Sequence, residues 1–216
     1  SFRALSTPFN EIAWIAGTKG TVCLTTDGGQ SFVCKTVPGY DSADFRSVYA
    51  WDAKRAIIAN TGSPAVVLIT TDGGNHWKEV YRNAHKDVFI DGIDFWNDAE
   101  GILYGDPLDG RLMVLTTSDS GKTWKEASES SRPKAEPGEA SFAASGTAIR
   151  CIGESRVVIA TGGKVSKLLI SEDKGKTWNS FATPILQGDD GTGIFSVDFF
   201  DNKKGVIVGG DYRNEE

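Results

Sequence analysis

The side chains most able to do chemistry are charged groups that recur at equivalent places along the chain. Arg3 follows Phe2 and Arg46 follows Phe45, and two guanidinium groups so placed could grip a carboxylate or phosphate bidentately. A plainer use is an ion pair inside the protein, Arg46 with Asp91. Asp94 and Asp198 also correspond in position. Facing each other they could act as acid and base; the simpler reading is that each accepts hydrogen bonds from nearby backbone. Two segments concentrate further carboxylates. One is Gly105-Asp106-Pro107-Leu108-Asp109-Gly110-Arg111; the other runs from Ser131 to Phe142 and carries Glu139. With Asp211, the candidates for binding a ligand are Arg3, Arg46, Asp91, Asp106, Asp109, Arg111, Glu139 and Asp211. No catalytic residue is assigned.

Metal and cofactor chemistry have little to stand on. His76 and His85 lack a ligand four residues on, and Cys23, Cys34 and Cys151 fit no zinc spacing. Asp189-Asp190-Gly191 has too few spaced oxygens for a calcium loop. No Gly-x-Gly-x-x-Gly opens a helix after a strand. The expectation is therefore no cofactor and no metal. Cys23 and Cys34 lie symmetrically about the turn at Gly28-Gly29, so they could face each other across a hairpin and form a disulfide. The alternative is two reduced, packed cysteines.

The elements that must position these groups follow from composition and repetition. The chain has 216 residues, 39% apolar and 24% charged, enough for a buried core. Twenty-five glycines mean many turns, and six tryptophans beside one methionine suit β packing. A net charge of −6 excludes a general phosphate-backbone binder, so nucleic acid is not an expected partner. No apolar run approaches the roughly 18 residues of a membrane helix. The chain opens at Ser1 without a signal peptide, as a trimmed mature protein would, which leaves export open.

Four segments share the pattern Ser/Thr-x-Asp-x-Gly-x-x-Trp/Phe. They are Thr25 to Phe32, Thr70 to Trp77, Thr117 to Trp124 and Ser171 to Trp178, with aspartates 45, 47 and 54 residues apart. A period of this length means a propeller or solenoid. Before each box lies a short, largely apolar run, such as Val66-Val67-Leu68-Ile69, and upstream lie two more strand-like stretches. Asp-x-Gly between such runs reads as a hairpin turn, with the carboxylate capping backbone N–H groups and glycine taking positive φ. The aromatic residue then folds back over the turn. Four short strands per repeat make one propeller blade. The fold expected is all-β, a propeller of four-stranded antiparallel blades with approximate spans 1–40, 41–84, 85–130, 140–186 and, in part, 191–216. Four blades and part of a fifth are thus expected in this chain.

The boxes resemble the Asp-box (BNR) repeats of sialidase-like propellers. With strand turns such as Ala16-Gly17-Thr18-Lys19-Gly20-Thr21, the chain is similar to the photosystem II assembly factor (Ycf48/Hcf136-like) family and its bacterial relatives. The resemblance spans essentially the whole chain. It implies seven blades, and hence a longer protein of ~300 to 350 residues. It also implies that the boxes lie away from the functional face. Asp27, Gly29, Phe32, Asp72, Gly74, Trp77, Asp119, Gly121, Trp124, Asp173, Gly175 and Trp178 are therefore read as structural.

Function is expected at the opposite, top face, built from between-blade loops and the turns between second and third strands. Extended loops on a rigid scaffold are where binding residues tend to lie. The bacterial relatives implied by the resemblance carry similar Gly-Asp-Pro and Gly-Glu-Ala-x-Phe segments. The reading reached is a non-catalytic, exported propeller, periplasmic or at the cell surface of a bacterium, that binds protein or glycan at its top rim as an assembly scaffold. A sialidase-like or related glycoside hydrolase is the alternative. Against it, the Phe-Arg-Ile-Pro signature of sialidases is replaced by Phe2-Arg3-Ala4-Leu5, and no tyrosine is clearly placed at the channel.

Overall fold

A computed structural model describes residues 1–214. Its strands form five four-stranded antiparallel sheets. The first contains β1 (Phe2–Phe9), β2 (Ile12–Gly17), β3 (Thr21–Thr25) and β4 (Val33–Thr36). The second contains β5 (Phe45–Ala50), β6 (Ala56–Asn60), β7 (Ala65–Thr70) and β8 (Lys78–Asn83). The third contains β9 (Ile90–Phe95), β10 (Gly101–Leu108), β11 (Arg111–Thr117) and β12 (Lys125–Glu126). After the two-residue β13 (Glu139–Ala140), a fourth sheet forms from β14 (Ile149–Ile152), β15 (Arg156–Ala160), β17 (Lys167–Ser171) and β18 (Asn179–Ala182). The two-residue β16 (Gly162–Gly163) interrupts it, and β19 (Thr192–Phe199) and β20 (Gly205–Asp211) follow.

The expectation of half a fifth blade is corrected here. β19 and β20 belong to a complete four-stranded sheet of order β13-β16-β19-β20. Gly162 pairs with Gly193, and Glu139 and Ala140 pair with Gly163 and Gly162. The added strands come from the loops of the fourth repeat, not from a repeat of their own. Glycines at 162 and 193 permit this close approach, because a Cβ on Gly193 would sit 2.3 Å from the Gly162 Cα.

Side chains alternate faces along a strand, and here each face meets a different neighbouring sheet. Ile57 and Ala59 join a core shared with Ile93, Phe95 and Leu103 of the third sheet. Ala56 and Ile58 turn the other way, onto Trp14 and Val22 of the first. In β10, Leu103 faces the second sheet while Ile102 and Tyr104 pack with Ile149 and Val158 of the fourth. This explains why the second and third strands read as unbroken apolar runs: both of their faces are interior. Among the described residues, the first and fifth sheets each have a face with no sheet stacked on it, and Phe2, Leu5, Phe9, Val206 and Val208 are exposed there.

The four boxes close the hairpins between third and fourth strands. Their central residues take positive φ, at Gly28 and Gly29, Gly73 and Gly74, Ser120 and Gly121, and Lys174 and Gly175. Each box hooks onto the first turn of its own blade, through Gly28 N to Glu11 O, Gly73 N to Lys54 O, Ser120 N to Ala99 O and Lys174 N to Ser155 O. Antiparallel order then puts all four boxes at the end of the sheets where first strands finish. The opposite end carries the starts of β1, β5 and β9.

Candidate functional site

Each box aspartate is saturated by its own turn. Asp119 accepts from Thr117 Oγ1 at 2.9 Å, Thr123 N at 2.9 Å and Thr123 Oγ1 at 2.7 Å. Asp27 and Asp173 repeat the pattern with Ser31 and Thr177, and in the second box the ring of His76 replaces the hydroxyl, 2.7 Å from Asp72. These donors favour the charged form. Hydrogen bonds from Ser31 hold Asp27 down at about 2, and those from His76 do the same for Asp72. Partial burial would raise Asp173, but Thr177 and Ser171 overcome it and bring it to about 2. Trp124 and Trp178 fold back and donate to Gly121 O and Gly175 O, both at 3.1 Å. Gly74, Gly121 and Gly175 pack against Trp14, Ile57 and Ile102 of the preceding sheet. The first box has no preceding sheet among the described residues, and Phe32 stays 44% exposed.

At the other end, the first strands β1, β5 and β9 share a bulge at Arg3, Arg46 and Asp91, and β19 of the fifth sheet has the same bulge at Phe195. A bulge redirects a side chain out of the ladder, so the equivalence read between Arg3 and Arg46 is structural. Their fates differ. Arg3 is exposed, while Arg46 Nε donates to Asp44 Oδ2 at 2.8 Å. The expected Arg46–Asp91 ion pair is therefore replaced by a pairing two residues away. Asp91 is completely buried, with the backbone N–H groups of Asp106 and Ala143 facing its carboxylate. Burial first, and then the charge of Asp106, raise its pKa far above the ordinary value, against the pull of Arg46.

The two carboxylate-bearing segments meet. Ser141 N donates to Asp106 Oδ1 at 2.8 Å, and burial raises Asp106 to about 6. Glu139 pairs with Lys167 at 2.8 Å in the interior and accepts from Glu136 N. Arg111 straps the long loop to the third sheet, donating to Arg132 O at 2.8 Å, while Leu112 N reaches Pro133 O. Asp109, with φ 56°, is an exposed turn residue beside Gly110. Asp211 accepts from Arg213 N at 3.0 Å, and Arg213 also pairs with Asp189.

Along the channel, the first strands line a polar cavity of about 450 Å³ with Ser6, Thr7, Tyr49, Asp94, Thr147 and Arg150 on its wall. Asp94 accepts from Cys151 N at 2.7 Å and Phe95 N at 2.9 Å. Asp198 accepts from Phe199 N at 3.0 Å and pairs with Arg150 at 3.0 Å. Both bond neighbouring backbone, as the simpler reading held. A hydroxyl chain runs from Ser145 to Thr147 at 2.6 Å and on to Ser196 at 2.7 Å. Sequence reasoning missed this chain, Tyr104 and Lys167. The lysine had a signal: it stands where the other third strands carry Thr21, Val66 and Met113. Cys23 and Cys34 are paired residues of β3 and β4, joined by a disulfide.

Comparison with known proteins agrees with this architecture. Residues 4–85 match the family model described as photosynthesis system II assembly factor YCF48. The photosystem II stability/assembly factor HCF136 of Oryza sativa is 26% identical over 118 residues, 53% of this chain and 27% of that protein. The HCF136 of Arabidopsis thaliana is likewise 26% identical over 117 residues, 53% of this chain and 28% of that protein. The match thus covers little more than a quarter of the length of these relatives. Among solved structures, YCF48 from Cyanidioschyzon merolae superposes with a TM-score of 0.55 at 18% identity, over 97% of this chain and 80% of that one. An ancestral GH74 enzyme gives 0.65 at 13% identity, over 99% of this chain and 29% of that one. The NanB sialidase of Streptococcus pneumoniae gives 0.56 at 16%, over 94% and 33%. At these identities the structures speak for the fold alone.

Proposed function

We propose that the chain is a Ycf48-like propeller and a non-catalytic binding scaffold whose partner, a protein, docks on the top-face loops. The observation that carries this reading is how the charged groups at that end are used. Asp106, Glu139, Arg46 and Arg111 are each held by Ser141 N, Lys167, Asp44 and Arg132 O. Groups locked in this way hold loops in fixed positions, which suits a rigid docking surface better than a hydrolytic centre. What remains outward is a rim of Arg3, Asp109 and Tyr212. The assembly-factor names of the plant relatives favour a role in building or stabilising a larger complex. The Cys23–Cys34 bridge favours an oxidising compartment and hence an exported protein.

The test is co-purification with crosslinking from the native host, comparing the wild-type protein with an Arg3→Glu/Asp109→Lys/Tyr212→Ala variant and an Asp119→Ala variant. Loss of one defined partner in the rim variant, retained in the box variant, is the expected result. Cleavage of a glycoside panel by the wild-type protein, lost on Asp94→Asn, would instead establish the hydrolase.

A further inference from the structure

The channel cavity is built from one position of the repeat. Ser6, Tyr49, Asp94, Arg150 and Asp198 stand at the same level of β1, β5, β9, β14 and β19. Each lies opposite a residue of the next strand in its own hairpin, namely Trp14, Ile57, Ile102, Val158 and Val206. All five are polar, whereas the position before them is aliphatic throughout, at Leu5, Val48, Ile93, Ile149 and Val197. The first four line the cavity of about 450 Å³.

Part of this polarity ties the strands together. Ser6 Oγ accepts from Ala50 N at 3.0 Å, and Asp94 Oδ2 accepts from Cys151 N at 2.7 Å. Tyr49 does not repeat the link: the equivalent N–H, that of Phe95, donates to Asp94 Oδ1 at 2.9 Å. The tyrosine ring packs on Trp51 and Phe95 with centroids 5.2 and 4.6 Å apart. Burial, and then the charge of Asp94, raise its phenol to about 12, so it stays a hydrogen-bond donor. Arg150 uses Nε on Asp198 at 3.0 Å, one of the five N–H donors of a guanidinium. Each Asp94 oxygen accepts one backbone N–H and keeps a second lone pair. Ser145 and Thr147, 2.6 Å apart, add hydroxyls to the same wall.

These groups select a class of ligand. Both signs of charge share the wall, Asp94 and Asp98 against Arg150. An anion would meet two carboxylates, and a cation would meet the guanidinium. A ligand hydroxyl suits both, because it donates to a carboxylate and accepts from a guanidinium or a phenol. The rings of Tyr49 and Trp51, both on the wall, offer an apolar surface to the C–H face of a sugar ring. At the volume of liquid water the cavity has room for about 15 molecules, enough for one sugar ring. We propose that this cavity binds a neutral, polyhydroxylated ring, a monosaccharide or the end of a glycan. Asp94, Arg150 and Tyr49 bond its hydroxyls, and Tyr49 and Trp51 cover its apolar face. The site shares no residue with the rim of Arg3, Asp109 and Tyr212, so protein docking there can fail without touching it.

The experiment titrates the full chain with glucose, galactose and maltose, followed by calorimetry and saturation-transfer NMR. Glucuronate and glucosamine serve as anionic and cationic counterparts of the same ring. Saturable binding of a neutral sugar at one site is expected, tighter than that of either charged ring. Tyr49→Phe, which keeps the ring packing and deletes only the hydroxyl, should weaken affinity about fivefold, and Arg150→Met about tenfold or more. The Arg3→Glu/Asp109→Lys/Tyr212→Ala rim variant should bind as wild type does. No saturable binding of any neutral sugar at tens of millimolar would overturn the site. So would tighter binding of glucuronate or glucosamine, or an affinity unchanged in both Tyr49→Phe and Arg150→Met.

Discussion

Glu139 Oε2 and Lys167 Nζ meet at 2.8 Å with side chains 0% and 9% exposed, tying the loop before the fourth sheet to the third strand of that sheet. Removing one partner of a buried ion pair strands the other charge away from water, which costs about 3 to 5 kcal/mol. Lys167→Met and Glu139→Gln should therefore each lower the unfolding free energy by about that amount. The double variant should recover much of the loss, because no uncompensated charge remains. Urea denaturation of the four proteins of this cycle measures it; additive losses in the double variant would mean the two side chains act independently.

The disulfide is the second staple whose value can be measured. Cys23 and Cys34 are 11 residues apart and directly paired in the β3–β4 hairpin. Closing a loop of that size restricts the unfolded chain by about 3 kcal/mol. The Cys23→Ser/Cys34→Ser protein should fall short of wild type by up to this much, and dithiothreitol should lower the Tm of wild type but not of the variant. A Cys151→Ser control should keep the full response to reductant. An unchanged Tm on verified reduction would show that strand pairing alone holds the hairpin.

The boxes predict a stability effect with no functional counterpart. Asp119 accepts three hydrogen bonds from Thr117 and Thr123, and charged acceptors contribute more than neutral ones. Asp119→Ala should cost about 2 kcal/mol, and Thr123→Ala, which deletes only the hydroxyl donor, about 1 kcal/mol. Both are read from denaturant midpoints at constant m-value. Loss of partner binding in a folded Asp119→Ala protein would move the functional face to the box end.

These cases show what was legible in the residues and what was not. The boxes revealed the propeller because a turn needing Asp, positive φ and an aromatic cover leaves a local, repeated trace. The Cys23–Cys34 pairing was readable as an option because hairpin register is symmetric about its turn. The other half of the fifth sheet was not readable: β19 and β20 fall where a partial fifth blade was expected, but Glu139–Ala140 and Gly162–Gly163 are two-residue strands with no apolar alternation. Nor was the partner of Arg46, since Asp44 and Asp91 are equally plausible by charge and only the bulge geometry separates them. Buried polar contacts between distant loops, such as Glu139 with Lys167 or Asp106 with Ser141, depend on three-dimensional approach and carry no sequence period.

Asp94 gives a pH dependence of definite sign. Its carboxyl is 8% exposed and raised from 3.8 to about 6, by burial against the opposing backbone donors of Cys151 and Phe95. Arg150 favours its charge and Asp198 opposes it, while Tyr49 and Cys151 are the other titratable groups that feel it. With a folded pKa above the unfolded one, the folded state holds the proton more tightly, so stability must fall as pH rises through about 6. The box carboxylates have the opposite sign. Held near 2, Asp27, Asp72 and Asp173 lose their contribution only below about 4. A window from about pH 4.5 to 7.5 leaves out the box carboxylates, though not Asp106, which burial also raises to about 6; across it the Asp94 contribution declines by about 2 kcal/mol. Measured as the difference in unfolding free energy between wild type and Asp94→Asn, other titrations cancel, and this difference should shrink with rising pH. A difference that stays constant across the window would place the Asp94 pKa near its unfolded value and remove burial as the dominant influence on it.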